Sequence, residues 1–286
     1  MKLDKNIQIL IVGLGLIGGS YAMALKKQGY RVCAITKEAE DALYAEQHGW
    51  ADRAVATVDP ALVGSADLVI FALYPHVFVE WIRENQKLLK SGAVITDVTG
   101  VKGCIVEKIQ GMLREDVEFI AAHPMAGREC SGVQNSDDRI FKKANYIVTP
   151  TSKNTPRAIA LCKALGKTIG FHDISELSPE AHDEMIAFLS QLTHCIAVSL
   201  MCASDDKELV RYTGDSFRDL TRIARINDEM WSELFLDNQT ALLTQMDIFK
   251  EKFDALYETV REGDRERMRE MMRLSSKRRA WFDIEE

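Results

Sequence analysis

Between Ala121 and Gly132 the sequence reads AAHPMAGRECSG, which sets His123, Arg128 and Glu129 just behind the apolar run VEFIAA. Histidine titrates at about pH 6.5 and so suits general acid–base work near neutrality. Following an apolar run, His123 is expected at the C-terminal edge of a sheet strand, where open α/β sheets bind ligands. Pro124 has no amide hydrogen, so the chain is expected to leave the sheet ladder there. The plain alternative is a strand-end histidine bonded to backbone.

A second group lies in ILIVGLGLIGGS, where Gly13, Gly15 and Gly18 stand in GxGxxG register. The first glycine allows a tight turn, the second lets the backbone approach a pyrophosphate, and the third permits close helix–strand packing. The first-turn amides of Leu16, Ile17 and Gly18 then face an anion at the positive end of the helix. An NAD site should carry an acid at the end of the second strand, for the ribose 2′-hydroxyl. Here CAITKE places Thr36 and Lys37 there. A hydroxyl and an ammonium suit a 2′-phosphate, which favours NADP, while Glu38 leaves NAD open. The bland alternative makes Thr36 and Lys37 solvated turn residues.

These groups need a scaffold. Up to residue 174 short β-type runs (IQILIVG, RVCAIT, DLVIFAL, AVITDV, VEFIAAH, NYIVTP, TIGFHDI) alternate with amphipathic helical stretches. That rhythm predicts βαβ units in a parallel sheet covered on both faces. After Glu176 the texture becomes helical, opening with Ser-Pro-Glu and a long apolar helix, SPEAHDEMIAFLSQLTHCIAVSLMCA. DEMWSELFLDNQTALLTQMDIFKEKFDALYETVREG reads as one further helix. The expected fold is an α/β Rossmann-type dinucleotide-binding domain over residues 1–174, then an all-α dimerisation domain over 175–286. A helix apolar around most of its circumference must be buried on several sides, which suggests a partner subunit.

The 286 residues are 47% hydrophobic, enough for a proper core, and the formal charge of −7 argues against a general nucleic-acid or anionic-membrane binder. The chain shows no cleavable signal, and no apolar stretch is expected to be long and glycine-free enough to span a bilayer. The six cysteines lack CxxC or Cys/His ligand spacing. No metal site is expected, and a reducing cytoplasm fits best.

Taken in order, GLGLIGGS, DVTGVKG (Asp97–Gly103), HPMAGRECSG, SPEAHDEMIAFLSQLTH and FRDLTRIARINDEMW resemble the prephenate/arogenate dehydrogenase family of tyrosine biosynthesis. The resemblance covers nearly the whole chain, and the HPMAG and FRDxTRIA blocks are its specific parts. It implies oxidative decarboxylation of prephenate to 4-hydroxyphenylpyruvate by a cytoplasmic homodimer, with hydride passing to a nicotinamide. Under it His123 is the catalytic base, and His194 is a second histidine lining the pocket. Arg222 would hold a substrate carboxylate with its planar fork. Glu129 is an acid near the pocket mouth, and Trp231 is an aromatic supplied by the neighbouring subunit. Related β-hydroxyacid dehydrogenases carry a catalytic lysine on the helix entering the second domain. Here that helix offers His182 and His194.

Departures from the family pattern carry expectations of their own. Many members have a serine before VKG that helps place the nicotinamide and the histidine; Gly100 stands there, and either the Thr99 hydroxyl beside it takes over or that contact is absent. Asp215 replaces a frequent glycine and is expected to alter the pocket mouth or cap a helix. Arg128, uncharged in some relatives, is expected near the substrate, favouring prephenate over the ammonium-bearing arogenate. For Arg222 the alternative is a solvated stripe shared with Arg218 and Arg225, and for His194 a satisfied core histidine. Rival functions are an arogenate or other small-acid dehydrogenase, and a nucleotide-binding regulatory protein without turnover. No appended regulatory module is expected, so control by tyrosine would act at the active site or the dimer interface.

Overall fold

The computed structural model describes residues 3–283. Its elements run β1 (Gln8–Val12), α1 (Leu16–Lys27), β2 (Arg31–Ile35), α2 (Ala39–Gln47), β3 (Arg53–Val55), α3 (Pro60–Ser65), β4 (Leu68–Phe71), α4 (Pro75–Asn85), β5 (Val94–Asp97) and α5 (Gly103–Met112). Then come β6 (Glu118–Phe119), β7 (Ala121–Pro124), β8 (Asn145–Thr149), α6 (Pro156–Ile169) and β9 (Asp173–Glu176). The helical part holds α7 (Pro179–Ile186), α8 (Thr193–Cys202), α9 (Asp215–Thr221), α10 (Asp228–Asp237), α11 (Gln239–Glu262) and α12 (Arg265–Arg279).

Six strands form a parallel sheet in the order β3-β2-β1-β4-β5-β6. Successive β1 residues point to opposite faces. Ile9 and Ile11 join a core with Tyr21, Leu25, Phe141 and Leu165. Leu10 and Val12 join one with Phe78, Trp81, Ile82 and Ile105 on the other side. Both faces are therefore covered by helices, the architecture expected of unbroken apolar strands. Each such buried side chain contributes about 1.5–3 kcal/mol.

Several expectations are corrected in detail. VEFIAAH is two strands: β6 pairs with β5, whereas β7 runs antiparallel to β8 in a second sheet, ordered β7-β8-β9. The crossing comes after Ile120, whose amide still donates to Ile95 O at 3.0 Å. Pro124 stays in the ladder opposite Tyr146. It needs no amide hydrogen there, because Met125 supplies the next donor, to Asn145 O at 2.9 Å. TIGFHDI is split: Thr168 and Ile169 end α6, which stops at Gly170 with φ +97°, and Asp173 and Ile174 begin β9. Strand β3 is an element that the sequence reading passed over.

The run 179–202 is continuously helical, with a π-helical turn at Ala187–Leu192 joining α7 to α8. Ser178 accepts from the Ala181 amide and Pro179 occupies the first turn, the start that the sequence signalled. Its 24 residues and mean hydropathy of 1.7 in the most apolar window make it long and apolar enough to cross a membrane, which corrects the expectation that no stretch is. Its polar groups nevertheless make core contacts. Gln191 Nε2 donates to Leu234 O at 2.7 Å, and His182 and Asp183 bond into the site described below.

By compactness the chain divides into Met1–Asn238 and Gln239–Glu286, so the textural change near residue 175 falls inside the first unit. The helix expected from Asp228 onward breaks at Asn238. Its buried side-chain amide leaves the helical register to donate to Asp183 O (2.9 Å) and Gln191 Oε1 (2.8 Å). In the second unit α11 and α12 are joined through Gly263, at φ +68°.

Candidate active site

At the end of β1, Gly13 adopts φ +101°, and a Cβ there would lie 2.3 Å from Ala72 O. A Cβ on Gly18 would lie 1.9 Å from Gly13 O, so helix α1 packs on the turn only without a side chain. Gly15 has open space where its Cβ would be, and it starts α1 with no side-chain cap and no acid in the first turn. The amides of Leu16, Ile17 and Gly18 therefore lack helical acceptors and point outward at the positive end of the helix. This cradle fits a dinucleotide pyrophosphate. At the end of β2, Thr36 is buried with its amide bonded to Val55 O at 3.0 Å, while Lys37 is exposed.

Asp97 closes β5 and is fully buried. Its Oδ2 accepts from Lys102 Nζ at 2.7 Å and from the Thr99 amide at 3.1 Å, and its Oδ1 accepts from the Ala122 amide at 3.1 Å. The carboxylate thus replaces a ladder acceptor where β7 peels away, and it fixes the residue before His123. Lys102 is also wholly buried. Burial pulls its ammonium below the ordinary lysine range, and Asp97 opposes that shift. Lys102 lies inside the DVTGVKG block, whose linear pattern assigns it no role. An acid ending an apolar strand, with a lysine five residues on before a helix, was the available signal.

His123 lies in β7 opposite Ile147. Its Nδ1 is 2.9 Å from Nε2 of His182, whose own Nδ1 is 2.8 Å from Asp183 Oδ1. Burial first, then His182 and Lys102, hold His123 well below the usual histidine range, so it is neutral at pH 7. A Cβ on Gly100 would lie 4.0 Å from His123 Nε2 and 3.3 Å from Leu234 Cδ1. The glycine therefore leaves Nε2 uncovered by a side chain on that side.

One turn before Leu234 on α10, Trp231 stacks on His194, with ring centroids 3.7 Å apart. His194 Nδ1 lies 2.9 Å from Ser190 O, in the π-helical turn. Arg222 forms an ion pair with Glu129, and both act electrostatically on His194. Burial holds His194 below the usual histidine range. Residues spaced three apart share a helix face, so α10 presents Leu234 near His123 and Trp231 against His194. His194, Trp231, Glu129 and Arg222 are thereby gathered from three separate sequence blocks.

Other expected residues are placed elsewhere. Arg128 bonds Asp137 Oδ2 at 2.8 Å, and the same carboxylate takes Arg139 Nε at 2.8 Å. Arg128 lines a polar cleft of about 610 Å³ with Lys27, Asp138 and Arg139. Asp137 is itself held by the bond from its amide to Ser20 Oγ at 2.9 Å. Thr99 is buried, and its hydroxyl bonds Asp97 and Val101 O, the latter at 3.0 Å. Within its own chain Trp231 packs on His194 and Phe235. Asp215 does not cap α9, which starts on Gly214; it pairs with Arg218 instead. Helix α9 ends at Thr221, before Arg222, so Arg222 and Arg218 do not share one regular stripe.

Residues 21–174 match the model of the prephenate dehydrogenase nucleotide-binding domain, and 178–274 match that of the prephenate dehydrogenase dimerization domain. The chain belongs to the prephenate dehydrogenase family. It is 31% identical to the prephenate dehydrogenase of Bacillus subtilis over 91% of this chain and 72% of that protein. It is 30% identical to the cyclohexadienyl dehydrogenase of Zymomonas mobilis over 95% of this chain and 94% of that one. The crystal structure of prephenate dehydrogenase from A. aeolicus in complex with hydroxyphenyl propionate and NAD+ superposes with a TM-score of 0.88, at 30% identity, covering 99% of this chain and all of that one. Family membership carries the Rossmann-type nucleotide domain followed by a helical dimerisation domain, NAD(P)-dependent oxidoreductase activity and a place in tyrosine biosynthesis.

Proposed function

We propose that the chain oxidatively decarboxylates prephenate to 4-hydroxyphenylpyruvate, working as a homodimer in the cytoplasm. The observation that carries this reading is His123, with an uncovered Nε2 at the sheet edge, on a site that α10 shares with His194, Trp231 and the Arg222–Glu129 pair. His123 takes the proton of the ring hydroxyl, and the same oxygen recovers it once loss of CO2 has left a phenolate. The dinucleotide, held by Gly13, Gly15, Leu16, Ile17 and Gly18, supplies the hydride acceptor. Arg222 binds a substrate carboxylate, in competition with Glu129 for its guanidinium, and the His194–Trp231 stack flanks the ring. Aromatisation supplies most of the driving force, so the residues chiefly have to orient and deprotonate.

Lys37, exposed at the end of β2, favours NADP through the 2′-phosphate. Arg128, being held by Asp137, no longer supplies a reason to reject the ammonium of arogenate. Initial rates at the reduced-nicotinamide band, with prephenate or arogenate and each cofactor, test the reading. Turnover of prephenate, faster with NADP, is expected; absence of turnover with any pair would overturn the activity. A strong NAD preference would overturn the role of Lys37 alone. Arg222→Gln is expected to raise KM for the acid substrate about 10- to 100-fold with little change in cofactor affinity, since a charge-assisted hydrogen bond contributes roughly 1.5–3 kcal/mol. An unchanged KM in steady-state kinetics would move the carboxylate site elsewhere.

A further inference from the structure

We propose that Asp183 and His182 are positioning residues that fix His123 in the tautomer with a proton on Nδ1 and a bare Nε2; this rests on His123 being the base of the proposed reaction. Asp183 is the anchor. Its Oδ1 accepts from the Lys102 amide at 2.8 Å and its Oδ2 from the Gly103 amide at 2.7 Å, where α5 begins. An anion at the positive end of a helix, with two backbone donors, is held in place as a carboxylate.

A carboxylate only accepts hydrogen bonds, so the nitrogen 2.8 Å from it, His182 Nδ1, carries the proton. Burial holds His182 below its ordinary range, so the ring is neutral and its Nε2 is a lone pair. That lone pair lies 2.9 Å from His123 Nδ1, which must therefore be the donor. His123 is neutral as well, and its remaining nitrogen, Nε2, is the free base. The opposite tautomer would set two lone pairs or two N–H groups against each other at one of these contacts. One anion thus determines every proton position along three side chains, and it aims the basic nitrogen toward Gly100. The charged groups acting on this line are Asp183 on α7, Asp97 on β5 and Lys102 at the start of α5, with His123 on β7 receiving the effect.

The test combines a spectroscopic and a kinetic readout. In the full-length protein labelled with 15N-histidine, the His123 ring, assigned by its loss in His123→Asn, should show the Nδ1–H tautomer at neutral pH. His182→Leu removes the acceptor and should shift the ring toward a mixture of tautomers. It should also lower kcat at least about tenfold, within the roughly 10²–10⁴-fold that a general base supplies, with cofactor Kd unchanged. His182→Gln offers a carbonyl acceptor and should recover part of both. An Nε2–H tautomer in the wild type overturns the proposal even if His182→Leu does not fold. So does a His182→Leu variant with the wild-type kcat. Because the tautomer is read without substrate, its outcome is separate from the prephenate reading. A correct tautomer with no prephenate turnover would sink only the latter.

Discussion

His123→Asn is expected to lower kcat by about 10²–10⁴-fold, the range supplied by a positioned general base, while leaving dinucleotide affinity at the wild-type level. The glycine turn that holds the dinucleotide is shaped by Gly13, Gly18 and Ala72. Asparagine keeps a polar side chain of similar reach but cannot take up a proton. In the wild type the ring is neutral at pH 7, because burial, His182 and Lys102 all depress its proton affinity. A lowered value means that the base remains available as pH falls below the usual histidine range. The acid limb of the wild-type kcat/KM profile should therefore lie below pH 6.5, about the value of a free histidine. Single-turnover rates and cofactor titration check the variant. Near-normal turnover, or an acid limb at the ordinary histidine value, would remove His123 from the chemistry.

Asp97→Ala is expected to cost about 3–5 kcal/mol of folding stability, the penalty for stripping the partner from a buried ion pair. Both side chains of the Asp97–Lys102 pair are at 0% exposure, so solvent gives no relief. Lys102 would be left as a buried ammonium, with the Thr99 hydroxyl as its remaining side-chain partner at 3.1 Å. The Ala122 amide would also lose its acceptor, freeing the residue before His123. Urea denaturation checks the size of the loss. A pairing of Asp97→Leu with Lys102→Met should recover much of it, since apolar replacement of a whole buried pair is often neutral. A loss below about 1 kcal/mol, the level typical of an exposed ion pair, would show that the pair does not anchor the strand.

Local patterns made much of the molecule legible. GLGLIGGS announces its turn because a left-handed glycine, an open glycine and a packed glycine have steric causes within six residues. The sheet could be read from runs such as LVIF, which is buried on both faces and shows no polar alternation. The start of α7 was visible in Ser178 and Pro179, whose effects reach only one helical turn.

Contacts across long sequence separations were not legible. Arg128 and Glu129 are adjacent in sequence, yet Glu129 meets Arg222 while Arg128 meets Asp137. Composition gives both the same credentials, and only the course of the loop separates them. Thr99 looked like a substitute hydroxyl until Asp97 and Lys102 claimed it. VEFIAAH looked like one strand, because apolar residues satisfy either sheet, and the departure depends on a carboxylate from β5.

By itself the sequence determined that a dinucleotide-binding domain begins at the first strand and that a helical part follows, and it singled out His123 and Arg222 as candidates for the chemistry. Backbone sterics and hydrophobic periodicity act between near neighbours, so a linear reading captures them. The tertiary structure alone decided which nitrogen of His123 is free, that Lys102 is buried, and that α10 brings Trp231 onto His194. Those outcomes depend on hydrogen bonds between residues 59 and 81 positions apart, as in His123–His182 and Lys102–Asp183. Burial is what makes those bonds decisive, since an unmet polar group in the interior costs more than any local preference supplies.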